Sequence, residues 1–378
     1  MDGMHAVPDG EFTKTIYTLI RNQKYQDVIN ILNNELQFAP RSRAALSLLA
    51  YCYFHMQDYA NAADMYDQLT KFYPSVDSYK LYHAQSLFKA GLYTEASKVA
   101  QQIENAEYSS KIQQLQVAIQ YELEEIAHTK TLISQMPPDS PEAVVATGCM
   151  LFKEEKYEEA RAKFQEALNT AGYQCDVAYN IALCYYKMKQ LAPSLKHIAD
   201  IIEKGVREHP ELGVGSNSDG VEVKSVGNTQ TLKETALIEA FNLKAAIEYS
   251  MKNVGAAKEA LLDMPPRNEE ELDPVTLHNQ GLMNIESDLQ GGFKKLNFLL
   301  NNPPFPPETF PNLILLYCKY QHFDLAADIL AENADLTYKC LSQDEFEFLE
   351  TFILQQTSKD EAFRKFEELA NNHIDVLR

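Results

Sequence analysis

The stretch RAALSLLAYCYFHMQDYANAADMYDQLTKFYPSV, Arg43 to Val76, decides the fold. Leu46, Leu49, Ala50, Tyr53, Ala62, Tyr66, Leu69 and Pro74 stand at places 4, 7, 8, 11, 20, 24, 27 and 32 of this 34-residue window. A shift of 34 positions brings Tyr25 and Tyr93 into register with Tyr59, and Val28 and Ala96 into register with Ala62. The next window, from Lys111, is degenerate but keeps Val117, Ala118 and Tyr121. The pattern resumes with Gly148, Leu151, Tyr157, Ala160, Phe164 and Ala167, and then with Ile181, Ala182, Tyr185, Ser194 and Ile198. The spacing predicts six repeats in unbroken phase over residues 9–208, after an N-terminal tail at 1–8.

These eight places are those of the tetratricopeptide repeat, a pair of antiparallel helices in which small residues at places 8 and 20 let the helices approach and larger ones fill the surrounding space. A single pair cannot bury its own apolar face. Six in succession therefore predict an all-α, right-handed superhelical tetratricopeptide solenoid held by nearest-neighbour interfaces.

Composition agrees. The 378 residues are 45% hydrophobic and 10% aromatic, enough for a large core, and 14 Gly and 16 Pro are too few for a many-turned β-sandwich or an enzyme built on glycine-rich loops. With 34 Lys and Arg against 54 Asp and Glu the net charge is −20, which disfavours nucleic acid and anionic membrane surfaces as partners. No run approaches the roughly 18 apolar residues of a membrane span, so no membrane insertion is expected. The six cysteines lie at wide intervals without C-x2-C spacing, and they read as reduced, buried thiols of a non-secreted protein.

Beyond His209 the pattern stops. Gly213, Gly215, Gly220 and Gly227 among polar residues and alternating valines predict an inserted loop or hairpin at 209–232. From 233 to 378 the small-residue places return as Ala245 with Ala257, Gly281 with Phe293, Ile314 with Ala326, and Glu350 with Ala362, about four further and more degenerate helical pairs. Pro265-Pro266 and the run Pro303, Pro304, Pro306, Pro307 read as inter-repeat connectors, the latter alternatively as a polyproline ligand.

No phosphate-binding, nucleophile-elbow, dinucleotide or zinc-protease motif occurs, so no enzyme, cofactor or metal is expected. Glu269, Glu270, Glu271 and Asp273 precede Pro274 and read as the charged start of a helix rather than a cation site. A second stripe, at places 9 and 12 of the first helix of each repeat, should line the concave face. It holds Tyr17 and Ile20, Tyr51 and Phe54, Gln85 and Phe88, Cys149 and Phe152, Leu183 and Tyr186, then Ala246 and Tyr249, Leu282 and Ile285, Leu315 and Cys318. Only Gln85 is plainly polar. Either these side chains pack on one another as ordinary core, or an apolar segment of another chain runs along them and covers them. Lys89, Lys153, Lys187 and Lys319, one place further on, are solvated charges or contacts for acids on that segment.

Several strings are more specific than repeat physics requires. Ala178 to Ile198 (AYNIALCYYKMKQLAPSLKHI), the insertion with REHPELGVG and VEVKSVGNT, AFNLKAAIEY at Ala240 to Tyr249, DMPPRNEEELDPVTLHNQGLM at Asp263 to Met283, Phe305 to Leu336, and PDGEFT at Pro8 to Thr13 resemble the Fleer family of intraflagellar-transport tetratricopeptide proteins. The resemblance covers nearly the whole chain. It implies a non-enzymatic scaffold subunit of intraflagellar transport complex B, active in cilium assembly and linked to axonemal tubulin polyglutamylation. It also implies other complex B subunits as partners, including a proline-containing segment of a core subunit held in the groove, with a kinesin motor or cargo as further partners. The location implied is the cilium and the cytoplasm around the basal body. Members of that family run on beyond this length. Two other readings remain at this point: a cochaperone-type clamp for acidic peptides, for which Asn180 with Lys187 is the one tidy pair, and a regulatory subunit of a tubulin-modifying enzyme.

Overall fold

The computed structural model describes residues 12–216 and 224–377, with side chains to Ile374. The tail expected at 1–8, and Gly220, Val221 and Val223 of the insertion, lie outside the described residues. Among the described residues there are α-helices, short 3-10 turns and no strand. The protein is an all-α tetratricopeptide solenoid, and it divides into two compact units, residues 1–247 with 264–267 and residues 248–263 with 268–378.

The first unit is a succession of helical pairs. They are α1 Phe12–Arg21 with α2 Tyr25–Phe38, α3 Arg43–His55 with α4 Tyr59–Phe72, α5 Asp77–Lys89 with α6 Tyr93–Ala100, α7 Ser109–Glu122 with α8 Ile126–Ser134, α9 Pro141–Lys153 with α10 Tyr157–Ala171, and α11 Cys175–Lys187 with α12 Leu191–Glu208. The short α13, Gln230–Glu234, then leads into α14, Leu237–Ser250. The core is a string of local clusters, each drawn from neighbouring helices: Ile16, Val28, Leu32 and Leu49 in one, Leu46, Tyr66, Leu69 and Tyr79 in the next, and Ile181's neighbourhood with Phe164 further along. This is the nearest-neighbour economy expected of a solenoid.

Small residues do what the pattern requires. A Cβ on Gly148, place 8 of its repeat, would stand 2.7 Å from the Phe164 ring, so α9 and α10 meet at the distance that glycine permits. Side-chain caps start several helices: Ser42 accepts from the Ala45 N–H, Asp58 from Asn61, and Ser140 from Ala143 with Pro141 at the first helical position.

The turn inside each pair repeats a left-handed residue. Gln23, Gln57, Gly91, Glu124, Glu155 and Lys189 all have φ between 58° and 78°. At Gln57 the closure is of Schellman type, with Gln57 N–H donating to the Phe54 carbonyl and Asp58 N–H to the Tyr53 carbonyl. Gly91 alone is glycine.

The six repeats are not in unbroken phase. Places 8 fall at Ala50, Ala84 and Ala118 and then at Gly148, thirty residues on instead of 34. The fourth repeat is four residues short; its second helix, α8, has 9 residues, close to the 8 of α6 and below the 14 of α4 and 15 of α10.

In the insertion, residues 210–212 form a 3-10 turn and the described remainder has no strand; the Val226 N–H donates to the Pro266 carbonyl at 2.9 Å. Leu237, at the start of α14, fills the space over Gly205 of α12.

The second unit contains α15 Val254–Leu262, α16 Pro274–Asn284, α17 Leu289–Asn301, α18 Thr309–Lys319, α19 Phe323–Glu332, α20 Ala334–Cys340, α21 Gln343–Leu354 and α22 Lys359–Leu377. Its main core gathers Leu296, Phe310, Leu313, Ile314, Tyr317 and Leu349. The acidic cluster is a helix start: Asp273 caps α16 through the Thr276 N–H, Glu271 accepts from the Asn268 N–H, and Glu269 pairs with Lys295 at 2.8 Å. The proline run lies in the connector between α17 and α18.

Candidate functional site: the inner helix faces

The second stripe separates into two kinds of position. Phe54, Phe88 and Phe152, at place 12, are half-buried, and each ring packs against a tyrosine five residues on. Phe54 meets Tyr59 at 5.3 Å, Phe88 meets Tyr93 at 5.6 Å and Phe152 meets Tyr157 at 5.2 Å between centroids. These rings staple the two helices of their own pair, and only their outer edges remain open. Tyr186 and Leu183 are half-buried against the cluster around Ile198, and Ile20 against the one around Ile16.

Tyr17 at 58% and Tyr51 at 40% exposure are the open members in the first unit. In the second unit Tyr249 is 52% and Leu315 47% exposed, and Leu282 is half-buried. Ile285 is a correction. At 4% exposure it is core, because its Cδ1 packs on Gly292 where any Cβ would come within 2.6 Å.

Sequence spacing missed the residues around Tyr51. Tyr25 stacks on His55 at 5.6 Å, Tyr51 leans on the same imidazole at 4.2 Å, and Lys233 of α13 donates to the His55 carbonyl at 3.4 Å. Burial first, and the Lys233 charge second, hold the His55 imidazole below its ordinary range. The stacked aromatics were visible as letters; their meeting with residue 233 was not.

The lysines after the stripe have separate fates. Lys153 lies 4.3 Å over the Tyr121 ring, donates to the Tyr121 carbonyl at 2.7 Å and pairs with Glu124 at 3.6 Å. Lys319 pairs with Glu286 at 3.6 Å. Lys89 adds to the depression of the Lys233 ammonium that desolvation begins.

No group of three or more His, Cys, Asp or Glu side chains able to hold a metal occurs among the described residues, and no described helix is long and apolar enough to cross a membrane. The thiols are free, and burial pushes Cys52 and Cys184 up to about 12, which leaves them inert.

Fold and inner face together define a tetratricopeptide protein with apolar side chains open on its inner helices. A model of intraflagellar transport protein 56 matches residues 46–234, and one of the C-terminal domain of intraflagellar transport protein 70 matches residues 309–378. The chain belongs to the intraflagellar-transport family of tetratricopeptide proteins. It is 59% identical to intraflagellar transport protein 70A of Xenopus tropicalis over 98% of this chain and 57% of that protein, and 57% identical to the Danio rerio protein of that name over 99% and 57%. Human intraflagellar transport protein 70B is 52% identical over 98% and 58%. The chain thus spans a little over half the length of the curated relatives it matches. A solved tetratricopeptide protein from Parabacteroides merdae superposes with a TM-score of 0.52 at 12% identity, covering 72% of this chain and 97% of that one, which speaks for the fold alone. These curated relatives are all named as intraflagellar-transport proteins.

Proposed function

We propose that this chain is a scaffold subunit of intraflagellar transport complex B and that its inner helix faces receive an extended, apolar, proline-containing segment of another core subunit. The observation that carries this reading is the set of large apolar side chains open at stripe places, Tyr17 and, beside the His55 ring, Tyr51 in the first unit, and Tyr249 and Leu315 in the second. Covering such side chains contributes roughly 25 cal/mol per Å² of apolar surface, so a segment lying over them gains affinity from each repeat it crosses. Phe54, Phe88, Phe152, Leu183 and Tyr186 supply the flanks of that track, with Ile20 and Leu282. A kinesin motor or cargo as a further partner, a link to tubulin polyglutamylation, and a cytoplasmic pool near the basal body belong to the same reading.

The test uses the four open side chains, because acidic replacements of the half-buried rings would also unfold their own helical pairs. Tyr17, Tyr51, Tyr249 and Leu315 are changed together to Asp, and the chain is captured from ciliated cells for mass spectrometry. Loss of complex B subunits with unchanged helicity is expected. Undiminished capture overturns the reading, and chaperones in their place favour the clamp.

A further inference from the structure

A cavity of about 360 Å³ opens in the first unit at the fourth, fifth and sixth helical pairs. Three successive first helices, α7, α9 and α11, form its walls, and Thr129 of α8 and Met136 close it from behind. The floor is apolar: Val117, Val145, Val177 and Met136. Gln114 and Gln174 also line it, and its charged groups are of one sign. Glu122, Glu142 and Asp176, one from each wall, face it, and no Lys, Arg or His side chain lines it. None of the three carboxylates forms an ion pair among the described residues; Glu142 and Asp176 stand in the first turns of α9 and α11, and Asp176 Oδ1 accepts from the Val177 N–H at 2.9 Å. Lys153, over the nearby Tyr121 ring, is already engaged with Glu124.

We propose that this cavity is a socket for one lysine or arginine side chain of the partner segment, the methylene stem lying on Val117, Val145 and Met136 and the cationic head among Glu122, Glu142 and Asp176. The apolar cavity carries the proposal, and the carboxylates select the occupant. Long basic side chains are the ones that bury an apolar stem while keeping a charged head at a wet rim. A purely apolar side chain fills the floor and leaves three like charges unanswered, and an acidic one adds a fourth. The Asp176 field already reaches inside: after burial, it is the second cause that pushes the Cys149 thiol up to about 11, so the sulfur stays neutral and does not compete for the cation. The inference rests on the inner face being the partner's track, and it adds a charge requirement that the apolar stripe does not impose.

The experiment needs no partner, so its outcome is separate from that of the capture assay. The full chain is labelled with 13C at its methionine methyl groups, the Met136 signal is assigned by its loss in Met136→Leu, and n-hexylammonium chloride, 1-hexanol and sodium hexanoate are titrated. The Met136 signal should shift saturably with hexylammonium, several-fold more tightly than with hexanol, and not with hexanoate. Added sodium chloride should weaken the amine, and the double variant Glu142→Gln, Asp176→Asn should weaken it by roughly threefold to tenfold. Both substitutions replace exposed side chains, and the salt dependence of the unaltered chain tests the same charge requirement without them. Equal binding of hexanol and hexylammonium, an amine affinity unchanged in the double variant, or no shift with any probe overturns the proposal.

Discussion

Lys233 Nζ lies 3.4 Å from the carbonyl oxygen of His55, a residue 178 positions earlier in the chain. The first unit therefore curves far enough for α13 to reach the C-terminal end of α3. α13 is held there from the other side as well, because the Cys175 thiol donates to the Glu234 carbonyl at 2.7 Å and Leu237 fills the gap over Gly205. Part of the inner face near Tyr51 is thus covered by a polar helix of the same chain.

The contact predicts a cross-link. Desolvation, with Lys89 as the second cause, holds the Lys233 ammonium below its ordinary range, so a larger share of that amine is neutral and nucleophilic near pH 8 than for a free lysine. A short amine-reactive reagent applied to dilute chain should join Lys89 to Lys233 within one molecule, read by mass spectrometry of the monomer band. A monomer in which Lys233 links only to sequence neighbours contradicts the closure.

The left-handed turn residues predict a pair of opposite stability changes. Gln57 holds φ 66° with a side chain that disfavours it, whereas Gly91 holds φ 78° at the equivalent place one repeat on with nothing within 4 Å of its missing Cβ. Gln57→Gly should relieve left-handed strain of about 1–2 kcal/mol, offset by roughly 0.5–1 kcal/mol of added unfolded-state entropy, for a net gain of a few tenths to about 1 kcal/mol. Gly91→Ala should cost about 1 kcal/mol with no clash to complicate it. Midpoints in urea, followed by far-ultraviolet circular dichroism, read both; a loss at Gln57→Gly removes the strain argument.

The helical pairs were legible because place 8 is enforced by contact: Gly148 against Phe164 leaves no room for another choice. The turn positions were not, since Gln, Glu and Lys fill left-handed sites where glycine would have announced them. The missing four residues of the fourth pair stand in the numbering between Ala118 and Gly148, yet degeneracy of that window hides them among poor matches. Place 12 reads as groove from spacing and is largely staple, because the tyrosine that covers each phenylalanine lies across the turn on the second helix. No spacing rule connects residue 55 with residue 233. Curvature accumulates over all the intervening pairs, and no local pattern encodes its sum.

Close packing at place 8 predicts that Gly148→Val destabilises the chain by about 1–3 kcal/mol through overpacking on the Phe164 ring. Phe164→Leu in the same chain should recover part of that loss, since the ring is the obstacle and the two positions touch. Urea midpoints of the two single variants and the double variant measure the coupling. Strict additivity would mean that the helices separate instead of the ring yielding.

A last expectation concerns acid. His278 of α16 is buried, its Nδ1 lies 2.9 Å from the Thr309 hydroxyl, and its Nε2 lies 3.5 Å from the Asn312 amide nitrogen. The amide nitrogen can only donate, so with it facing the ring Nε2 is the acceptor and Nδ1–H the donor to Thr309, the neutral ring. Burial lowers the His278 pKa from its ordinary 6.5, and the Glu308 carboxylate opposes this without reversing it. A folded pKa below the unfolded one means that the unfolded chain takes up the proton first. The stability contributed by this site is therefore complete above about pH 6.5 and is lost as pH falls through 6.5 toward the folded value, at up to about 1.4 kcal/mol per pH unit. His55, His83 and His197 are lowered in the same direction by burial and add to the slope, so the unaltered chain alone does not isolate His278. Comparison with His278→Asn does: the variant starts less stable because the buried pairing with Thr309 changes, but it carries no proton to lose or gain at that site. Thermal midpoints taken between about pH 7.5 and 5.5 should fall more steeply for the unaltered chain than for the variant. Parallel curves would show that His278 is protonated as easily in the fold as outside it, and that the ring is not held neutral between Thr309 and Asn312.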